Sequence, residues 1–205
     1  GHATVVGGCI VDSGKFDWNV GGRYPELTTP DDSYHGVVYT ESFGPAAYVT
    51  KARVQMLRDM GNTMSPMAAF LLNLGLETLA LRMERHCANA LAVAQFLSTH
   101  ECVDWVDYPL LEGNAQYDLA KKYLPKGACG VISVGIKGGR AAATKFLDNL
   151  KLMNIVVHVA DARSCALHPA STTHRQLTEE QLNACGVKPE QVRLSIGIEN
   201  IEDIL

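Results

Sequence analysis

No stretch of this 205-residue sequence approaches the roughly 18 consecutive apolar residues that a membrane-spanning helix requires. The chain does not open on a basic segment followed by a short apolar run, so it is not expected to carry a secretory leader. Strong charge of either sign is also missing: 18 basic residues stand against 22 acidic ones, for a formal net charge of -4, and neither sign gathers into a long block. Neutralising a phosphate backbone takes a basic surface, so a general nucleic-acid binder is excluded. A small anionic ligand is not excluded, because one arginine and a few backbone N–H groups can hold it.

Several catalytic signatures are absent as well. There is no Walker loop, no G-x-G-x-x-G fingerprint and no Ser/His/Asp nucleophile motif, and the pairs Gly7-Gly8, Gly21-Gly22 and Gly138-Gly139 read as turns. The six cysteines, Cys9, Cys87, Cys102, Cys129, Cys165 and Cys185, form no C-x-x-C pair. Their wide spacing and mostly apolar neighbours predict buried small hydrophobes in a reducing compartment, rather than disulfides or a zinc site.

What is present is a folded composition, 47% hydrophobic with only eight prolines. The opening GHATVVGGCIVDSG reads as a short pair of strands entered without lead-in, as though earlier sequence preceded it. The aperiodic segment 24–45 is too long for an ordinary connection, which points to a lid, arm or interface element, or else a linker. From Ala46 to Met60 the apolar period becomes helical, with Gly61 at the C-terminal stop. Ser65-Pro66 supplies an N-cap and first-turn proline for a long amphipathic run to about His100, with Gly75 as the place where it kinks or divides.

Beyond this run, helices and strands alternate. Strands are predicted at 103–108, 130–136, 155–157 and 191–196, with helices at 114–124 and from Gly138-Gly139 to about Asn149. Thr178 and Gln181 form a capping box, and Gly186 ends that helix. Four short strands separated by helices predict a small α/β domain with helices against one face.

Two features could carry chemistry. His158, Asp161, His168 and His174 fall within seventeen residues. Their spacing does not converge on one helix face, so they read either as zinc ligands or as side chains that stiffen a shaped loop through Pro169 and its neighbouring hydroxyls. Arg193 lies between Val192 and Leu194 in the last strand. A guanidinium there needs an anion to offset desolvation, whether an internal carboxylate or the carboxylate of a substrate.

Three separated blocks resemble one family: DARSCALHPASTTHRQLTEEQ at 161–181, QVRLSIGIENIEDIL at 191–205, and SYHGVVYTESFGPAAYVTKARVQMLRDMGNTMSPMAAFLL at 33–72. Together they are similar to the Cys/Met-metabolism enzymes that use pyridoxal phosphate (PLP), within them most to the O-acetylhomoserine sulfhydrylase (aminocarboxypropyltransferase) branch, and the likeness runs along essentially the whole chain. The resemblance implies the carboxyl-terminal half of an α/β, fold-type I PLP-dependent transferase. Residues 1–80 would end the large cofactor domain, with an insertion at the active-site mouth over 24–45 and connecting helices. Residues 81–205 would form a small α/β domain with a mainly antiparallel four-stranded sheet.

The Ser-x-Thr-Lys segment bearing the Schiff-base lysine is then expected just upstream of Gly1. No catalytic or cofactor-binding residue is assigned within the chain, and PLP is not expected to bind it alone. Arg193 matches the arginine that binds the substrate α-carboxylate, and His158 and Val159 lie in the segment whose backbone approaches the same group. Many relatives have Ser or Asn where His158 stands.

The implied reaction replaces the acetate of O-acetyl-L-homoserine by sulfide or methanethiol, giving homocysteine or methionine. Methionine γ-lyase or cystathionine γ-synthase chemistry is an alternative on the same scaffold, and a non-catalytic α/β interaction module is the alternative outside it. The other partners implied are the missing amino-terminal half and further copies in a homotetramer built from dimers. The expected location is cytoplasmic, with neither nucleic acid, membrane nor metal as a partner.

Overall fold

The computed structural model describes residues 1–205 and contains two compact units, one of Val5–Leu72 and one of Gly1–Thr4 with Asn73–Leu205. The division falls inside a helix, α5 in the numbering below.

Val5–Leu72 is helical and small. It contains α1 (Pro25–Thr28), α2 (Tyr39–Phe43), and an unbroken helical run made of α3 (Ala47–Lys51), a π-helical stretch (Ala52–Leu57) and α4 (Arg58–Met60). Gly61 ends that run at φ +68°, a left-handed conformation that favours glycine. Leu27, Tyr39 and Ala47 are buried together, with Trp18, Tyr34 and Val54 packed around them. Lys51 is tied to the Asp31 carboxylate at 2.7 Å and to the Glu26 carbonyl at 2.9 Å. The segment 24–45 is therefore folded through short helices around Tyr39, which removes the linker reading.

The first fourteen residues form no strand, contrary to expectation. Val6, Ile10 and Val11 have the apolar character of strand residues but are largely exposed, and extended chain without a hydrogen-bonded neighbour makes no sheet.

α5 (Pro66–Glu77) starts where Ser65 Oγ accepts the Ala68 N–H at 3.2 Å. The long helical run divides at Thr78, where ψ rises to 10°, and not at Gly75. α6 (Leu79–Ser98) follows and buries one face, Asn89, Ala90, Val93, Ala94 and Leu97.

The sheet has five strands in the order β1-β2-β5-β4-β3: β1 (Val103–Asp107), β2 (Val131–Ile136), β3 (Asn154–Ile155), β4 (Cys165–Leu167) and β5 (Gln191–Ser195). Three pairings are antiparallel and β3–β4 is parallel, so the mainly antiparallel expectation holds but the strand count was one short. The added strand, β4, pairs with β5 through Ala166 opposite Leu194 and Leu167 opposite Arg193.

α7 (Tyr117–Tyr123), α8 (Gly139–Asp148), α9 (Glu179–Ala184) and α10 (Ile201–Ile204) complete the fold. The expected capping box at Thr178 and Gln181 is formed in both directions. Ile132, Val134, Ile136, Val192 and Leu194 make one core with Ala90, Val93, Ala94 and Leu97 of α6 and with Ala143 and Leu147 of α8. Each large aliphatic side chain so buried contributes roughly 1.5–3 kcal/mol. By the period-two rule, the opposite face of β5 is left to Arg193 and Ser195.

Candidate functional site

β5 is the middle strand of five, so Arg193 is held by neighbours on both sides: Ser133 of β2 and Leu167 of β4 stand opposite it. Its guanidinium reaches the turn after β3, where Nη2 donates to the carbonyls of Val157 at 2.9 Å and His158 at 3.3 Å. Nε is buried without a hydrogen-bond partner, and none of the chain's four ion pairs includes Arg193. The internal salt bridge, the other reading of this residue, is thus not what the fold builds. A charged fork fixed by backbone carbonyls, with one N–H unsatisfied, is chemically suited to a carboxylate.

The facing loop is stiffened from several directions. Ser195, two residues along from Arg193, accepts the Ala160 N–H on its Oγ at 3.0 Å, and Ala160 takes the left-handed φ of +57° that this turn demands. The Cys165 thiol donates to the His158 carbonyl at 3.3 Å, and burial pushes that thiol's pKa up, so it serves as a packed donor rather than a nucleophile. Gly1 bridges the loop in both directions, donating to the Ala160 carbonyl and accepting the Ala162 N–H at 2.9 Å.

Behind the loop lies a second set of contacts. The Glu199 carboxylate accepts the Ser164 N–H at 2.5 Å and the Ser164 hydroxyl at 2.9 Å, and that hydroxyl accepts the Gly197 N–H at 2.8 Å. From α6, Asn89 Nδ2 donates to the carbonyls of Gly197 and Glu199, while the His86 ring bonds the Ile196 carbonyl at 2.6 Å.

The predicted site residues are therefore brought together unequally. Arg193 meets the carbonyl of His158, but the His158 ring turns to Asp161, 3.5 Å away, and the Val159 side chain is exposed, so any role of these two toward a ligand falls to their backbone. His168 bonds Ser171 Oγ and the Pro189 carbonyl, both at 2.7 Å, which is the loop-stiffening role. Ser195, Ser164, Glu199, Asn89 and His86 were missed; the period-two placement of Ser195 with Arg193 was the one available signal. The cysteine reading needs correction too: only Cys165 is buried, whereas Cys9, Cys102, Cys129 and Cys185 are exposed. Cys102 and Cys185 lie in turns and Cys9 and Cys129 in irregular chain, so apolar neighbours in sequence did not carry them into the core.

Asp161 is buried beside this loop. Burial by itself would push its carboxyl up, but hydrogen bonds from the Arg163 side chain and backbone, with the His158 ring, outweigh it and hold the pKa below the ordinary 3.8. A depressed carboxyl contributes stability that is complete above the unfolded value and disappears as pH falls through the folded one. Asp161→Asn is accordingly expected to lower stability to urea at neutral pH, with the difference closing as pH falls below the ordinary carboxylate range. A difference that stays constant across that range would show that the charge is not involved. Arg163 is mostly exposed, which keeps the effect modest.

Residues 1–205 match the family described as Cys/Met metabolism PLP-dependent enzyme. The chain is 48% identical over 206 residues to homocysteine synthase of Schizosaccharomyces pombe and 48% identical over 214 residues to O-acetyl-L-homoserine sulfhydrylase of Leptospira meyeri. In both comparisons all of this chain and 48% of the relative are covered, so it spans about half the length of the curated relatives it matches. Its fold superimposes with a TM-score of 0.84 on a crystal structure described as an O-acetylhomoserine (thiol)-lyase from Campylobacter jejuni, which carries N'-pyridoxyl-lysine-5'-monophosphate. That match has 40% identity and covers 91% of this chain and 44% of the other. With the match extending from the first residue to the last, the chain belongs to the Cys/Met-metabolism PLP-dependent enzyme family.

Proposed function

We propose that this chain is the carboxyl-terminal, substrate-gripping half of a PLP-dependent O-acetyl-L-homoserine sulfhydrylase. The observation that carries the reading is Arg193, a fork fixed on the middle strand with a buried, unpartnered Nε and no internal carboxylate. The names of the relatives support the substrate, and the 205-residue match supports the family.

The residues present fit a substrate carboxylate and not the cofactor itself. The cleft beside His158, Asp161 and Cys165 contains no lysine, and Lys51 is occupied by Asp31. Pyridoxal phosphate, when bound, supplies an electron sink that stabilises negative charge on an amino-acid α-carbon. This chain's contribution is orientation. Arg193 holds the carboxylate, the turn at 157–160 limits its position, and the Glu199 network keeps that turn still, so the α-C–H bond is presented in one direction. Net, the acetate of O-acetyl-L-homoserine leaves as sulfide or methanethiol takes its place, giving homocysteine or methionine.

A homotetramer, an amino-terminal half as partner and a cytoplasmic location belong to the same proposal. Four exposed free thiols support a reducing compartment.

The test offers the enzyme containing this chain O-acetyl-L-homoserine with sulfide, methanethiol, cysteine or water. Sulfide- or thiol-dependent acetate release is expected, whereas preference for cysteine or water would assign synthase or lyase chemistry instead. The 205-residue chain alone is expected to develop no absorption band of lysine-bound cofactor, near about 420 nm, when mixed with PLP. A stoichiometric band that survives removal of unbound PLP and is lost on substitution of a single lysine would show that the chain has its own cofactor lysine.

A further inference from the structure

A second unpaired arginine lies away from Arg193. Arg82, in the first turns of α6, has only 7% of its surface exposed. Its Nη1 donates to Thr78 Oγ1 at 2.5 Å, its Nε is buried with no partner, and it belongs to none of the four ion pairs. A guanidinium stays charged at any pH a protein survives, and a buried charge is tolerated only where something of opposite sign meets it.

The surroundings add to the demand. Arg82 lines a cleft of about 740 Å³ together with Arg85, Glu84 and Asn200. The positive end of the α6 dipole lies close by, so a cation at this position is unfavourable for the helix and is not explained as a helix stabiliser. Glu84, the one acidic residue lining the cleft, forms no ion pair with Arg82. Two cations and a helix N-terminal end against one uncommitted carboxylate leave net positive potential facing open space.

We propose that Arg82 is the receiving half of a buried ion pair and that this cleft takes a carboxylate against it. The carboxylate comes either from a side chain of the remaining half of the enzyme polypeptide or from a free small carboxylic acid. The first source rests on the proposed reading of this chain as half of a longer enzyme; neither source depends on the role given to Arg193.

The test is the sign of a stability change. In the enzyme containing this chain, Arg82→Met, Arg82→Lys and Arg82→Gln are compared with the unaltered protein by thermal unfolding, at neutral and mildly acidic pH, with and without acetate as probe. If a polypeptide carboxylate fills the cleft, Arg82→Met strands it: Tm falls by about 6 °C or more, the loss shrinks on acidification, and acetate shifts neither protein. If a free acid fills it, acetate raises the Tm of the unaltered enzyme and not of Arg82→Met. Equal or higher stability of Arg82→Met with no response to acetate overturns the proposal, as does a loss independent of pH, which is packing alone. Should Arg82→Met fail to fold, greater stability of Arg82→Lys than of Arg82→Gln supports the pair, and the reverse order or equality overturns it.

Discussion

Replacing Arg193 with alanine in the enzyme that contains this chain should lower kcat/KM for its amino-acid substrate by about two orders of magnitude or more. The magnitude follows from the role proposed for the side chain. A bidentate, charge-assisted grip on a carboxylate in a partly dry site is worth about 2–5 kcal/mol when one partner is removed, much of it the cost of leaving the other charge unpaired. Because the grip proposed for this fork would also set the direction of the α-C–H bond, the loss is expected in kcat as well as KM. Lysine at the same position keeps a charge but has neither the planar fork nor the reach to both carbonyls of the 157–158 turn, so Arg193→Lys should recover only part of the loss. Steady-state kinetics would read both variants, and a loss under about threefold for Arg193→Ala would remove the assignment.

The sequence disclosed the parts of the fold that depend on local chemistry. The Ser65-Pro66 helix start, the Thr178–Gln181 capping box, the Gly61 stop and the strand with Ile132, Val134 and Ile136 on one side all follow from neighbours within a few residues, and all are present. What was not legible depends on partners far along the chain. Cys165-Ala166-Leu167 is too short to declare a strand and becomes one because β3 and β5 flank it. Val5, Val6 and Ile10 have strand character without any such flank, and no strand forms.

The site divides the same way. An arginine inside an apolar strand can be noticed in one dimension, and so Arg193 was. That its fork would rest on the carbonyls of residues 157 and 158, about 35 positions away, and that Ser164 and Glu199 would lock the turn behind it, requires the sheet to have formed. His158 shows the limit of pattern: its place in the loop that meets Arg193 was legible, but its ring lies 3.5 Å from the Asp161 carboxylate, a neighbour that only the folded loop reveals.

Gly197→Ala should be the most damaging single-methyl change near this site, and the reason is steric rather than conformational. A Cβ at Gly197 would stand 2.3 Å from Glu199 Oε2, 2.5 Å from the Ala162 carbonyl oxygen and 2.5 Å from the Ser164 nitrogen. The carboxylate cannot simply swing away, since it is held by both the N–H and the hydroxyl of Ser164. Nor can the backbone retreat without opening the Ile198 N–H bond to the Ala162 carbonyl at 2.9 Å. Overpacking of this kind costs about 3 kcal/mol, which for a protein of this size lowers Tm by roughly 6–12 °C. Displacement of Ala162 is transmitted to the 157–161 turn on which Arg193 rests, so KM for the amino-acid substrate should rise even where the variant remains folded. Differential scanning calorimetry of the 205-residue chain and steady-state kinetics of the enzyme that contains it would check both parts. A Tm within about 1 °C of the unaltered protein would mean that the Ser164–Glu199 lock yields easily, and would remove the reason for expecting the turn behind Arg193 to be rigid.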